Sequence, residues 1–287
     1  MMKKIILYYK FCSIDQPKVI QLWQNELCQR LNLRGRIIVS SIGINGTLGG
    51  NLSNLKAYKK AMKALDIFSD IEYKLTDGSE FDFPKLSVKV RPEPVTLEAI
   101  KEFNAFNASK GLSPKQWHEY LTEHPQTLVL DARNYYESEI GSFKVDNLIK
   151  PKIKTFKDIK PIVAKLPKDQ PILTYCTGDV RCEYLSAYMQ SEGFETVHHL
   201  RGGIIKYGQT YGDGGLWQGK CYVFDRRMQL GFSKKAQDIA QCLVCQNKTS
   251  DQVNCDDCNR QLVVCLNCQK QPYYHCQNPT VSSRTRK

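Results

Sequence analysis

Short apolar runs alternate with amphipathic segments along the first ninety residues. Residues 3–11 (KKIILYYKF) predict a strand, and residues 36–50 (RIIVSSIGINGTLGG) predict a strand, a turn and a second short strand. Residues 86–92 (LSVKVRP) predict a closing strand. The glycines of residues 36–50 lie between two strands, which favours a tight hairpin over a nucleotide-binding loop.

Two helices are expected between these strands. The segment 16–32 has an apolar stripe at helical spacing, formed by Val19, Ile20, Leu22, Trp23, Leu27 and Leu31. The segment 53–66 predicts a second helix, with Ser53 as its N-cap. The order strand–helix–strand–strand–helix–strand is the split βαβ pattern, so we expect a ferredoxin-like α+β domain at the N-terminus.

Buried strands alternate with helices in the middle of the chain. Apolar runs predict strands at 127–133, 171–176 and 196–200. Helices are predicted at 154–166 and 181–193, and a further one begins at Ser113 and Pro114, a typical cap and first helical position. This alternation predicts an α/β domain with a parallel sheet.

These patterns divide the chain into three domains and a linker. We expect a ferredoxin-like domain at 1–95, a linker with a helical piece at 96–107, a parallel-sheet domain at 108–212, and a small cysteine-rich region at 213–287.

The composition is that of a globular protein. Of the 287 residues, 41% are hydrophobic and 24% are charged. No apolar run approaches the ~18–20 residues that a membrane span needs, and the N-terminal segment lacks the cleavage site of an exported protein. Without an export signal, twelve cysteines are typical of free, catalytic or metal-bound thiols. We therefore expect a cytoplasmic protein.

The formal net charge of +12 is unevenly distributed. The excess of Lys and Arg lies in residues 1–95 and 216–287, whereas the segment between them is balanced. Two interpretations stay open at this point. The lysines can be solvated faces that keep the protein soluble, or the flanks can be basic arms that hold a polyanion, most simply RNA.

The stretch YCTGDVRCEY (175–184) holds the candidate catalytic residue, Cys176. It lies where a predicted strand ends and a helix begins, and ligands gather at that end of a parallel sheet. Backbone N–H groups and the helix dipole lower a cysteine pKa there, and Arg181 adds a positive charge. The loop between them is Thr177, Gly178, Asp179 and Val180. We expect an activated thiolate rather than a packed, inert thiol.

The C-terminal region predicts a metal site. Three C-x-x-C pairs occur within 27 residues, and His275 and Cys276 follow them. Two such pairs can hold one tetrahedral zinc, and a second zinc would use the third pair with His275 or Cys276. The candidate ligands are Cys242, Cys245, Cys255, Cys258, Cys265, Cys268 and Cys276. We expect the zinc to be structural, since the segment is too small to bury its own core.

Four segments resemble a rhodanese domain over roughly residues 108–212. They are DAR (131–133), ESEIGSFK (137–144), YCTGDVRCEYLSAYM (175–189) and HHLRGGIIKYG (198–208). The resemblance implies that Cys176 carries a persulfide, that Arg181 closes its loop and that Asp131 is a structural acid. The histidines at 198 and 199 are interpreted as strand residues.

Two positions depart from that family. Asp179 stands where relatives prefer glycine, and its carboxylate would oppose thiolate formation unless it points to solvent. Cys182 stands where simple rhodaneses have serine. It is either a resolving thiol for Cys176 or a small residue on the first helical turn.

The order of the domains, with GKCYVFDRRM (219–228) and the CTG-x-x-RCE loop, resembles the bacterial tRNA uridine hydroxylases that contain a rhodanese domain. This resemblance implies oxygen-dependent conversion of the wobble uridine to 5-hydroxyuridine. Molecular oxygen would be the co-substrate, and the anticodon loop of tRNA the partner. Two alternatives stay open: a sulfurtransferase that forms a persulfide on Cys176, and a non-catalytic RNA-binding module that rests on the basic charge and the cysteine-rich segment. No pattern for an organic cofactor is visible. The candidates for base stacking are Tyr175, Tyr184, Tyr207 and Tyr211.

Overall fold

A computed structural model describes residues 2–99, 104, 106, 108, 109 and 111–270. The predicted helical piece of the linker falls largely outside the described residues, as do His275, Cys276 and the rest of the C-terminal tail.

The N-terminal part contains five strands and two α-helices. They are β1 (Lys3–Phe11), α1 (Pro17–Arg30), β2 (Arg34–Ser40), β3 (Gly43–Asn51), α2 (Leu52–Lys63), β4 (Lys74–Asp77) and β5 (Leu86–Val90). Short 3-10 helices lie at Asp66–Phe68 and Glu80–Asp82. The strands form one sheet in the order β4-β1-β3-β2-β5, which we call the N-terminal sheet.

The ferredoxin-like fold is confirmed, but its closing strand is not the predicted one. Strand β4 pairs antiparallel with β1 and completes the βαββαβ unit. The predicted closing strand, β5, instead pairs parallel with β2 at the opposite edge. The sequence KLTD of β4 escaped prediction because it is four residues long and its two buried side chains, Lys74 and Thr76, are polar.

The prediction that Ser53 caps α2 is wrong. Strand β3 continues to Asn51, and α2 begins directly at Leu52, whose N–H donates to the carbonyl of Met2 at 2.9 Å. Ser53 therefore lies inside the first turn, where its hydroxyl contacts the side chain of Asn54.

Alternation along β1 divides its side chains between two faces of the sheet. Ile6 and Tyr8 pack in the core under α1 and α2. Leu7, Tyr9 and Phe11 point the other way, where Leu7 and Phe11 pack against the two cores of the next domain. The helix-free face of the N-terminal sheet is therefore turned toward the middle of the chain.

The middle of the chain contains the elements α3 (Pro114–Glu123), β6 (Leu128–Asp131), α4 (Tyr135–Glu139), β7 (Gly141–Phe143), β8 (Leu148–Ile149), α5 (Lys160–Val163), β9 (Ile172–Tyr175), α6 (Val180–Ser191), β10 (Val197–His199) and α7 (Gly203–Tyr211). The predicted parallel sheet is confirmed, with the order β10-β9-β6-β8. The predicted capping of α3 by Ser113 is also present. The predicted helix at 154–166 is a 3-10 turn (Phe156–Ile159) followed by the single turn α5.

The remaining strands are short. They are β11 (Trp217–Gly219), β12 (Cys221–Tyr222), β13 (Gln229–Leu230), β14 (Gln252–Asn254) and β15 (Gln261–Val263), with a 3-10 turn at Cys268–Lys270. Four of them form two antiparallel pairs, β12 with β13 and β14 with β15. Strand β11 pairs with β7, which ties the start of the C-terminal region to the parallel-sheet domain. The buried cluster around Cys242 and Val264 is small, so packing alone stabilises this end weakly.

Candidate active site at the Cys176 loop

Cys176 follows β9 directly, and its side chain is only 1% exposed. The backbone N–H of Asp179 donates to its Sγ at 3.2 Å. Burial raises the pKa of the Cys176 thiol, but the hydrogen bond from Cys182 and the charge of Arg181 lower it by more, to about 6. The loop therefore favours the thiolate at neutral pH, as the strand–loop–helix position predicts.

Cys182 lies on the first turn of α6 and is fully buried. Burial and the neighbouring Cys176 raise the pKa of the Cys182 thiol well above its ordinary value. Cys182 therefore keeps its proton and donates it in a hydrogen bond to the Cys176 sulfur. The two thiols lie in hydrogen-bond contact.

Arg181 is held by a carboxylate that the sequence analysis did not single out. Its guanidinium donates to Glu137 Oε1 at 2.6 Å and to Oε2 at 2.7 Å, and Glu137 is fully buried. Thr177 joins the pair, since its hydroxyl lies 3.3 Å from Glu137 Oε2. Glu137 lies within the ESEIGSFK segment, so the motif was noticed but the role of its first residue was not.

The carboxylate of Asp179 does not point to solvent. The residue is 1% exposed, and its φ of 85° is in the left-handed region that glycine adopts most easily. Its oxygens accept hydrogen bonds from His199 Nδ1 at 2.6 Å, Tyr9 Oη at 2.7 Å and Gly202 N at 2.9 Å. These three bonds hold the strained backbone, and the negative charge of Asp179 raises the pKa of the Cys176 thiol, as the sequence predicts for a carboxylate that does not point to solvent.

His199 balances the charge of Asp179. Burial lowers the pKa of His199, but Asp179 raises it by more, to about 9, so the imidazole is protonated at pH 7. Burial raises the pKa of Asp179, and His199 outweighs this effect and lowers it. From the sequence alone, His199 is predicted only as a strand residue. The one signal for its partnership is that Asp179 lies in the loop after β9 and His199 on the next strand of the chain.

The N-terminal sheet supplies a second wall of the site. Lys74 on β4 is 7% exposed, and its Nζ donates to the carbonyl of Gly178 at 2.9 Å. The same ammonium lies 4.9 Å from the ring centroid of Tyr9. Tyr9 Oη lies 2.7 Å from Asp179 Oδ2 and 2.7 Å from Glu183 Oε2. Strand β1 is therefore hydrogen-bonded to the loop and to the first turn of α6.

A cleft of about 560 Å³ lies between the N-terminal sheet and the Cys176 loop. Its lining includes Cys176, Thr177, Gly178, Val180 and Arg181 from the loop. Leu7, Tyr9 and Lys74 line it from the sheet, and Tyr136 and Phe224 from the other side. Phe224 belongs to the GKCYVFDRRM segment, so all three parts of the chain meet at this cleft.

The tyrosines proposed for base stacking do not line this cleft. Tyr175, Tyr184 and Tyr207 are fully buried. Tyr175 donates to Asp131, Tyr184 stacks on Phe11, and Tyr211 stacks on His118. They are packing residues because their helices and strands face the two cores of the domain. Asp131 also binds Arg133 through two hydrogen bonds, which fits its expected structural role.

Four C-terminal cysteines form a cluster that could hold a metal ion. The sulfurs of Cys242, Cys245, Cys265 and Cys268 all lie within 4.8 Å of one another, and four thiolates are a typical set of zinc ligands. The first C-x-x-C pair is therefore grouped with the third. The predicted second site, with the third pair and His275 or Cys276, stays a prediction, because these two residues lie outside the described part of the chain. Cys255 and Cys258 lie outside the cluster.

Comparison with known proteins places these features in families. Residues 3–93 match the UPF0176 acylphosphatase like domain, residues 113–210 the Rhodanese-like domain, and residues 218–279 the Rhodanase C-terminal family. Within the described part of the chain, no helix is both long and apolar enough to cross a membrane.

Several full-length relatives are known. The chain is 41% identical over 281 residues to the tRNA uridine(34) hydroxylase of Corynebacterium jeikeium (strain K411), covering 94% of this chain and 90% of the relative. It is 40% identical over 285 residues to the protein of the same name from Corynebacterium urealyticum, covering 95% of each. For the protein from Corynebacterium glutamicum (strain R), the identity is 40%, with 92% and 88% covered. The chain therefore belongs to the tRNA uridine(34) hydroxylase family.

Proposed function

We propose that this chain hydroxylates uridine 34 of tRNA to 5-hydroxyuridine, using molecular oxygen and the thiolate of Cys176. The observation that carries the proposal is an activated thiolate on the wall of a cleft, in a chain about 40% identical to proteins named tRNA uridine(34) hydroxylase. Position 34 belongs to the anticodon loop, which makes that loop the proposed partner.

The size of the cleft supports a single nucleoside as the bound group. Its volume of about 560 Å³ lies within the ~300–1,000 Å³ of typical small-molecule sites. Enzymes that modify a base take it out of its stack and read it in a pocket. Bases of a single-stranded loop are already partly unstacked, which lowers the cost of that step.

The lining of the cleft supports the same substrate. Tyr136 and the 45% exposed Phe224 offer aromatic faces on which a base can stack. Asn45 and Thr47 on β3 bring polar groups that can bond its edge. Lys154 and Lys157 lie on the lining as well, where they can meet the phosphates on either side of the nucleoside.

The reactivity of uracil gives the thiolate a role. The C5–C6 double bond of uracil is electrophilic at C6, and sulfur addition there places electron density on C5, the atom to be hydroxylated. An oxidised form of Cys176 that delivers oxygen itself is the other route open to this residue. Both routes need Cys176. One atom of molecular oxygen enters C5, and the other leaves as water, which takes up two electrons and two protons. We further propose that Cys182 is the resolving thiol, because it already contacts the Cys176 sulfur and oxidation of the two thiols to a disulfide supplies both electrons.

The C-terminal cluster is the proposed zinc site, with Cys242, Cys245, Cys265 and Cys268 as ligands. A bound zinc would crosslink the two loops that carry these pairs, and it would stabilise a region with little apolar core. The role is structural because the cluster supplies four protein ligands, which leaves no open coordination position for a substrate.

We also infer the division of the chain and its location. The proposed domains are residues 1–95, 108–212 and 213–287, joined by a linker at 96–107. A tRNA substrate supports a place in the cytoplasm.

Nucleoside mass spectrometry tests the function. tRNA would be taken from cells that lack the gene and are complemented with the wild-type or the Cys176→Ser protein, grown with and without oxygen. We expect 5-hydroxyuridine or its derivatives only with the wild-type protein in air. Normal levels of the modification with Cys176→Ser, or without the gene, would refute the proposal.

A further inference from the structure

The buried charges around Cys176 form two closed pairs. Arg181 is bound by both oxygens of Glu137, and His199 is bound by Asp179. These four side chains are at most 10% exposed, so water screens them little. Each positive charge in these pairs already faces a carboxylate.

Lys74 is a buried cation beside the loop that belongs to neither pair. Among the residues that the structure describes, no carboxylate forms an ion pair with Lys74. Its hydrogen bond to Gly178 uses one of the three ammonium protons, and the side chain lines the cleft beside Cys176.

The acids near Lys74 each have another partner. Asp179 is bound by His199, Glu72 by Lys206, and Glu183 accepts a hydrogen bond from Tyr9. Burial raises the pKa of Glu183, and the negative charge of Asp179 raises it further. Burial and the same carboxylates also raise the pKa of Tyr9 well above its ordinary value, so it stays a phenol. The thiolate of Cys176 lies on the same cleft wall as Lys74, and no ion pair of the described residues neutralises it.

We propose that Lys74 is a second active-site cation beside Arg181. The N-terminal sheet contributes Lys74 to stabilise negative charge on the Cys176 sulfur. Its free ammonium protons point to a second contact, with a carbonyl oxygen of the bound base, and this part rests on the proposed function. The N-terminal domain then takes part in the chemistry itself. Burial lowers the pKa of Lys74, while Asp179 and Cys176 raise it, which agrees with a cation that depends on its anionic neighbours.

The test is a thiolate titration of the full-length protein without tRNA. Thiolate absorbance at 240 nm would be followed from pH 4 to 10 for the wild type, Lys74→Met and Lys74→Arg. For each protein, the spectrum of the same chain carrying Cys176→Ser would be subtracted, so that only Cys176 is reported. Lys74→Met keeps the apolar stem and removes the charge, and Lys74→Arg keeps the charge.

We expect Lys74→Met to raise the apparent pKa of Cys176 by about one unit, and Lys74→Arg to restore most of the difference. Lys4→Met is the matched control, because Lys4 pairs with the exposed Asp77 on the same sheet and lies outside the cleft lining. It should leave the titration unchanged. Thermal melting would verify that each variant is folded.

An unchanged titration in a folded Lys74→Met protein, or an equal shift in Lys4→Met, would overturn the proposal. So would a failure of Lys74→Arg to restore the wild-type titration. The titration uses neither tRNA nor oxygen, so its result is independent of the reaction. A failure of the proposed function would appear instead in the nucleoside analysis of Cys176→Ser cells.

Discussion

The Cys176 loop and the C-terminal cysteine cluster stabilise thiolates by opposite means. At the loop, one sulfur lies among buried charges and backbone N–H groups that the fold itself positions. At the cluster, four sulfurs within 4.8 Å of one another would repel each other as thiolates unless a cation lies between them. The first arrangement leaves the sulfur reactive, whereas bonds to the proposed zinc would use up the reactivity of the cluster sulfurs.

The surroundings of the two regions explain this difference. The loop lies between two hydrophobic cores and the N-terminal sheet, so its charges are almost fully buried and their mutual interactions are strong. The cluster lies on hairpins with few buried residues, and Cys245 is exposed. The cluster region needs a crosslink to be stable, because it buries few apolar side chains. The loop needs a partner for each charge, because its charges are buried.

Exchanging one cysteine in each region should separate the two roles, and this is the largest effect we expect. Cys176→Ser should abolish uridine hydroxylation and leave the metal content unchanged. Cys265→Ser should lower the zinc content by about one ion per chain, since a thiolate ligand is lost. The measurements are nucleoside mass spectrometry of tRNA and elemental analysis of the purified protein.

Cys258→Ser is the matched control for the metal, because Cys258 belongs to a C-x-x-C pair outside the cluster. It should leave the ion bound by Cys242, Cys245, Cys265 and Cys268 in place, so that a further Cys265→Ser exchange in this variant still removes about one zinc. Full zinc content in Cys265→Ser would contradict the proposed ligand set.

The sequence predicted the loop better than it predicted the partners of the loop. Cys176, Arg181 and Cys182 lie within seven consecutive residues, so a strand–loop–helix pattern was enough to place them together. Glu137, His199 and Lys74 come from three distant elements, and only the packing of those elements brings them to the loop. Periodicity reports which face of an element is buried, but it does not report which neighbour that face meets.

The fold shows the same limit. Long, strongly patterned elements such as β1 and α1 were predicted nearly to the residue. Strand β4 was missed because its buried side chains are polar. One of them, Lys74, is the residue that donates a hydrogen bond to Gly178 in the Cys176 loop. In the C-terminal region, the spacing of the cysteines predicted that pairs of them come together, and four do, but it did not show which pairs meet.

Removing the carboxylate partner of Arg181 should disturb the loop and leave the cluster intact. Glu137→Gln leaves a buried guanidinium without its counter-charge, and we expect a loss of about 3–5 kcal/mol in the free energy of unfolding. Urea denaturation measures the loss. Zinc content should stay at the wild-type level, because Glu137 is not among the cluster residues.

Glu72→Gln provides the comparison for that exchange. Glu72 pairs with Lys206 at 3.0 Å, but its side chain is 65% exposed, so the loss should stay below about 1 kcal/mol. Equal losses in the two variants would show that the Arg181–Glu137 pair contributes no more than a surface ion pair.

The Asp179–His199 pair should give a smaller effect than the Arg181–Glu137 pair, and the effect should depend on pH. The folded protein raises the pKa of His199 from an ordinary value of 6.5 to about 9, through Asp179 and, more weakly, Glu183. The contribution of the pair to stability is therefore complete below pH 6.5 and is lost as the pH rises through 9. A shift of this size corresponds to about 3 kcal/mol.

His199→Gln should therefore destabilise the protein by about 2–3 kcal/mol at pH 6 and by much less at pH 9.5, as measured by urea denaturation at both values. Asp179→Asn should remove the same dependence on pH, because it takes away the other half of the pair. A loss that is equal at both pH values would mean that His199 is neutral in the folded protein. In that case no charge on His199 would offset Asp179, whose carboxylate raises the pKa of the Cys176 thiol, and the loop would hold uncompensated negative charge as four thiolates without a cation do.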